Sequence, residues 1–183
     1  NKTTLKNNRI ILFDFDGVIV DSFQTGFEAE RMLRPRANFT EDNFRKLHEG
    51  NVYDALVKEY DDIDVADKQF FEIYVPRFLK LPVIEGVSEA LVELSIKYKL
   101  VVVSSTISSP IREWLEGHNL VKYFTEIMGS DVHRSKIEKI KMVFEKYGVG
   151  ADDCIFITDT LGDMKEASKL GVRSLAVTYG FHD

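Results

Sequence analysis

The run Arg9-Ile10-Ile11-Leu12-Phe13-Asp14-Phe15-Asp16-Gly17-Val18 constrains this chain more than any other stretch. Four apolar β-formers in succession suit a strand covered on both faces, as in a parallel sheet. Acids are poor strand formers and costly to bury unpaired, yet two of them close this run before a glycine. Their position demands a partner of opposite charge at the end of a buried strand.

Two later runs repeat the pattern, Leu100 to Val103 and Ile155 to Thr158, and each ends in polar residues. Ser174 to Tyr179 predicts another strand and Glu126 to Met128 a short one. Helix signals lie between them. Ser109-Pro110 offers an N-cap followed by proline, Ser135-Lys136-Ile137-Glu138 has capping-box spacing, and Gly171 closes the helix beginning near Asp163. The alternation predicts a doubly wound α/β fold with a mainly parallel sheet, in which ligands bind beyond the carboxyl ends of the strands.

About 80 residues separate the first two strands, far beyond an ordinary crossover. They read as helices: Phe23 to Leu33, Thr40 to His48 with Thr40 as cap, Val52 to Tyr60, Ala66 to Leu79, and Val87 to Tyr98 for the crossover itself. The division is an α/β core of residues 1–21 and 83–183 with an inserted α-helical cap over residues 22–82. Asp21-Ser22 reads as the cap of the first inserted helix.

The 183 residues, 44% of them hydrophobic, suffice for a full core. A net charge of -6 argues against a nucleic-acid surface, and no apolar run reaches the roughly 18 residues of a membrane helix. A cytoplasmic protein is expected, with Cys154 a buried thiol; Asn38-Phe39-Thr40 would matter as a glycosylation site only in a secreted protein.

The topology brings Asp14 and Asp16, Ser104 and Ser105, and Asp159 and Asp163 to one sheet edge. Carboxylates so gathered raise one another's pKa unless a cation intervenes, and all-oxygen donors select a hard ion, Mg²⁺ above all. Lys136 stands in a first helical turn, where its charge opposes the helix dipole unless an anion lies nearby. The four histidines show no zinc spacing.

In this order the residues resemble the haloacid dehalogenase-like hydrolase superfamily over essentially the whole chain. Asp14 to Val18 looks like its first motif, Val101 to Ser105 its second, Lys136 its third and Thr158 to Asp163 its fourth. The helical insertion further resembles the phosphoglycolate phosphatase and β-phosphoglucomutase branch. The resemblance implies an Mg²⁺-dependent phosphate monoester hydrolase acting on a small soluble phosphate ester. Asp14 would be the nucleophile forming an aspartyl phosphate, and Asp16 the acid and base. Asp14, Asp16 through its carbonyl, Asp159 and Asp163 would hold the metal, while Ser104, Ser105 and Lys136 would hold phosphoryl oxygens.

A phosphomutase differs only in the phosphoryl acceptor, and a catalytically silent phosphate-binding protein would be expected to lack Asp14 or Asp16. Both acids are present. The chain departs from the family pattern at Thr158, where glycine is common, and at Ile137, where proline follows the lysine, which leaves Lys139 or Lys141 as alternatives to Lys136. It also stops at Gly180-Phe181-His182-Asp183, where relatives commonly add a strand and a helix. In the cap, His48 and Asn51 of the loop His48-Glu49-Gly50-Asn51 are the substrate-contact candidates, with Arg34 and Arg36 as further ones.

Overall fold

The computed structural model describes residues 9–34 and 38–182. Arg36 lies outside the described residues. Five parallel strands form one sheet: β1 (Ile10–Phe13), β2 (Lys99–Val103), β3 (Phe124–Met128), β4 (Cys154–Thr158) and β5 (Arg173–Ala176), in spatial order β3-β2-β1-β4-β5. The order reverses about β1, so a crevice opens at the carboxyl ends of β1 and its neighbours, where an α/β sheet binds ligands.

Strand alternation divides the core. Ile11, Phe13, Leu100 and Val102 pack on one face with Leu91 of α5 (Val87–Lys97) and Ile111 and Trp114 of α6 (Ser108–Gly117). Ile10, Leu12, Val101 and Val103 pack on the other with Ile140 and Val143 of α7 (Lys136–Tyr147) and Ala167 of α8 (Leu161–Lys169). Burying both faces explains why β1 and β2 read as unbroken apolar runs. Cys154 is buried and free.

Among the described residues, four helices stand between β1 and α5: α1 (Phe23–Leu33), α2 (Glu41–Leu47), α3 (Val52–Leu56) and α4 (Ile63–Phe78). Thr40 forms a reciprocal capping box with Asn43, Asn51 caps α3 and Asp62 caps α4. The insertion enters and leaves through paired backbone, Val20 bridging Val83 antiparallel, and Trp114 Nε1 donates to the Leu81 carbonyl at 2.9 Å. Phe15 stacks edge-on against both Phe78 and Trp114, which ties the loop after β1 to the foot of the insertion.

Several local expectations are corrected. The helix expected over Val52 to Tyr60 ends at Leu56, and the following turns, with 3₁₀-type bonds such as Lys58 N–H to Ala55 O, bring the Tyr60 hydroxyl to Glu30 at 2.8 Å. The last strand stops at Ala176 rather than Tyr179. Helix α6 starts at Ser108, with Pro110 in its third position and Ile107 as a cap lacking a side-chain acceptor. Asp131, from the loop after β3, accepts from the Ser108 N–H at 2.7 Å instead. Ser135 caps α7 through Glu138 N–H, but its own N–H goes to His133 Nδ1, so the box is half made.

Candidate active site

Asp14 follows β1 directly and is 5% exposed. Its Oδ1 accepts the Phe15 N–H at 2.8 Å, and its Oδ2 lies 3.0 Å from Lys136 Nζ. Lys136, the first residue of α7, also donates to Asp163 Oδ2 at 2.5 Å. The lysine misplaced against its own helix dipole is therefore resolved by two buried carboxylates. Of the three candidate lysines, Lys139 turns to the carbonyls of Ser104 and Gly129, and Lys141 pairs with Glu138 on the surface.

Burial raises the Asp14 carboxyl well above its usual range, Lys136 opposes that, and Asp163 and Asp159 add to it. Burial would raise Asp163 too, but Lys136 outweighs it and holds Asp163 below the ordinary value, helped by a hydrogen bond from Thr158 Oγ1 at 2.8 Å. Thr158 thus anchors this acid. Lys136 loses some affinity for its proton to burial and regains more from the two aspartates, so its pKa is raised.

Asp16 sits among three hydroxyls. Ser22 Oγ donates to Oδ1 at 2.7 Å, Thr106 Oγ1 to Oδ2 at 2.8 Å, and the Tyr74 phenol from α4 donates to Oδ1 as well. The cap expectation for Ser22 is corrected here: it occupies the N-cap position of α1 without a side-chain cap bond, because its hydroxyl is turned to Asp16. Ser104 is fully buried after β2, and its Oγ accepts the Thr106 N–H at 3.0 Å; the Ser105 carbonyl lies 3.1 Å from the Tyr53 hydroxyl.

Asp159 follows β4 and is pressed between two glycines. A Cβ on Gly17 would lie 2.0 Å from Asp159 Oδ2, and one on Gly180 would lie 2.2 Å from its Cβ. Gly17 also has φ +75°, in the left-handed region that favours glycine, so the residue after Asp16 is fixed twice over. Asp159 Oδ2 accepts the Phe181 N–H at 2.6 Å, whereas its buried Oδ1 has no hydrogen-bond partner. Burial, only partly offset by Phe181, pushes its carboxyl up to about 7, with Asp163 adding to the rise.

A cation fits this chemistry. Two buried carboxylates, Asp14 and Asp159, are held above their usual pKa, and Asp159 keeps an orphaned oxygen, an arrangement that positive charge would relieve. Among the described residues no three histidine, cysteine or carboxylate side chains are set to hold a metal by themselves. Oxygen donors of this kind suit a hard divalent cation.

Beside these acids lies a cavity of about 110 Å³ between insertion and core. His48 is on its wall, its Nδ1 bound to the Phe44 carbonyl at 2.9 Å, and burial lowers its pKa to about 4. Asn51 faces a second cleft, donating to Glu166 Oε1 at 3.2 Å and the Arg134 carbonyl at 3.4 Å. Arg34 is bound within the insertion to Glu30, Glu59 and Tyr60. Sequence reasoning missed Ser22, Tyr74, Thr106 and Phe181. Only Thr106, two residues beyond Ser104, carried a signal in its position.

A five-stranded parallel sheet flanked by helices, with Asp14 and Asp159 at the ends of β1 and β4 and a buried Lys136 paired to Asp14 and Asp163, defines a doubly wound, Rossmann-like α/β core with its polar site at the carboxyl edge. Residues 11–177 match the haloacid dehalogenase-like hydrolase family, and the chain belongs to it; it is an enzyme, a phosphatase of that family. A phosphoglycolate phosphatase of Aquifex aeolicus is 27% identical over 185 residues, covering 94% of this chain and 86% of the relative. A phosphatase predicted in Clostridium acetobutylicum has a solved structure with TM-score 0.80, at 24% identity, covering 96% of this chain and 87% of that one. CbbY from Rhodobacter sphaeroides, crystallised with xylulose-1,5-bisphosphate, has TM-score 0.76 at 16% identity, covering 96% and 88%.

Proposed function

We propose that the chain hydrolyses small phosphate monoesters with Mg²⁺, through an aspartyl phosphate on Asp14, and that residues 22–82 act as a cap over a core of residues 1–21 and 83–183. The observation that carries this reading is the pairing of a buried Asp14 with Lys136 at 3.0 Å, beside an Asp16 held by three hydroxyls.

Asp14 Oδ attacks phosphorus while the ester C–O–P bond breaks at phosphorus, and Asp16 gives its proton to the departing alkoxide. Asp16 then takes a proton from water, whose oxygen attacks the acyl phosphate, and phosphate leaves with Asp14 restored. Ser22, Tyr74 and Thr106 fix the Asp16 carboxyl for both transfers. Lys136 balances charge on Asp14 and the phosphoryl oxygens, with Ser104 and the Ser105 backbone beside it. Asp14, the Asp16 carbonyl and Asp159 would hold Mg²⁺, with Asp163 direct or through water; the ion would supply charge neutralisation to the transferring phosphoryl group.

Aspartate rather than water as the first nucleophile is testable directly. Quenching turnover and reducing with borohydride should convert Asp14 to homoserine, detected in its tryptic peptide, and EDTA should abolish both labelling and phosphate release. Phosphate release without any modification of Asp14 would overturn the covalent route.

A further inference from the structure

The cavity beside Asp14 and Asp16 has an uneven wall. Asp14, Asp16, Lys136 and Asp163 share its wall with the apolar Phe44, Leu47, Leu56, Ile63, Phe70 and Phe71, and with the Tyr53 and Tyr60 phenols. Among the described residues Lys136 is the only lysine or arginine on the wall, and both of its acid partners are already there. The remaining charges on the wall are acidic. Glu30 is 4% exposed and tied to Arg34 and Tyr60, Asp67 lies by Tyr53, and Glu166 accepts from Asn51.

Resting on the phosphatase reading, we infer that this chain takes esters whose leaving alcohol is uncharged and apolar and rejects those bearing a carboxylate. An anion placed among these side chains would be desolvated without a cation to pair with. His48 does not supply one, because burial lowers its pKa to about 4 and keeps the ring neutral, with Nδ1 on the Phe44 carbonyl. An amine has the acids nearby, but Glu30 and Asp67 are already partnered by Arg34 and Arg134, and charge on the ligand would still be stripped of water against phenyl rings. An alkyl chain meets its own kind there. Substrate choice in this chain therefore departs from that printed in the name of the Aquifex aeolicus relative.

The experiment compares kcat/KM for ethyl, n-propyl and n-butyl phosphate with 2-phosphoglycolate and 2-aminoethyl phosphate, at fixed Mg²⁺. The expected result is a rise of about threefold to fourfold per added methylene until the cavity fills, with ethyl phosphate at least about tenfold ahead of both charged analogues. Equal or better turnover of 2-phosphoglycolate or 2-aminoethyl phosphate would overturn the inference. Turnover of no ester would defeat the phosphatase reading instead. Binding is read separately by thermal shift with propylphosphonate and phosphonoacetate, where a phosphonoacetate preference would overturn the inference whatever the activity. Leu56→Lys should narrow the gap between ethyl phosphate and 2-phosphoglycolate at least about threefold, and an unchanged gap in the folded variant would show that this cavity does not receive the leaving group.

Discussion

The phenol of Tyr74, on α4 of the insertion, donates a hydrogen bond to Asp16 Oδ1 at the end of the loop after β1. The residue proposed to protonate the leaving group is thereby held from both sides, by Thr106 of the core and by Tyr74 of the insertion. The insertion and the core thus share the hydrogen bonds that orient this carboxyl.

Tyr74→Phe should therefore lower kcat/KM about tenfold for alkyl phosphates, whose alkoxides need a proton, and much less for p-nitrophenyl phosphate, whose leaving group does not. A loss of about 1 kcal/mol of stability is expected from the missing hydrogen bond. Equal losses on both substrates would assign Tyr74 to packing alone.

Asp14→Asn keeps the shape of the side chain and removes the nucleophile. Turnover should fall below detection while the protein melts within a few degrees of the parent, because strand β1 and the Phe15 N–H contact tolerate an amide oxygen. Residual phosphate release above background in a preparation free of parent enzyme would exclude Asp14 as the attacking group.

Lys136→Met leaves Asp14 and Asp163 as buried carboxylates without their cation. Removing one partner of a buried ion pair typically costs about 3–5 kcal/mol. Inhibition by inorganic phosphate should weaken at least about tenfold in the folded fraction. Lys141→Met, on a surface pair with Glu138, should change neither quantity. Phosphate inhibition equal in the two variants would remove Lys136 from the anion site.

Lys139 gives a pH signature. Burial, reinforced by the neighbouring Lys136 charge, lowers its pKa from 10.5 to about 7 although it donates to the Ser104 and Gly129 carbonyls. Between pH 7 and 10.5 the unfolded chain holds this proton and the folded chain does not, so the group's contribution to stability rises with pH across that window. Below pH 7 both forms hold it and the contribution is flat. The stability of the parent minus that of Lys139→Met should thus rise by up to about 1.4 kcal/mol per pH unit above pH 7. A difference that stays level from pH 7 to 10 in urea titrations would contradict this.

The sheet was legible because both faces of β1 and β2 are buried, which leaves unbroken apolar runs with polar ends. The acids at those ends, and Lys136 at a helix start, were legible because each violates a local preference. Ser22 was not, since a serine before a helix reads as a cap whether or not its hydroxyl turns elsewhere. Tyr74 and Phe181 reach the site from residues distant in sequence, through packing that periodicity cannot register. The start of α6 was misplaced for a similar reason: its first N–H is satisfied by Asp131, 23 residues away.

Gly162 fixes how closely the insertion approaches the core. It is the second residue of α8, its N–H donates to the His48 carbonyl at 3.0 Å, and a Cβ there would lie 2.2 Å from the Gly50 oxygen and 2.7 Å from that of His48. Alanine is ordinarily better than glycine in a helix by about 0.5–1 kcal/mol, so any loss in Gly162→Ala comes from this contact. Backbone atoms cannot rotate out of the way as a side chain would, and the loop carrying His48, Gly50 and Asn51 must lift. Lifting it also strains the Asn51 to Glu166 contact and admits water beside Asp14. Gly162→Ala should keep the core fold, expose the 48–51 loop to limited proteolysis, and lower kcat/KM for alkyl phosphates about tenfold or more. Unchanged proteolysis with full activity would mean that the loop does not close through Gly162.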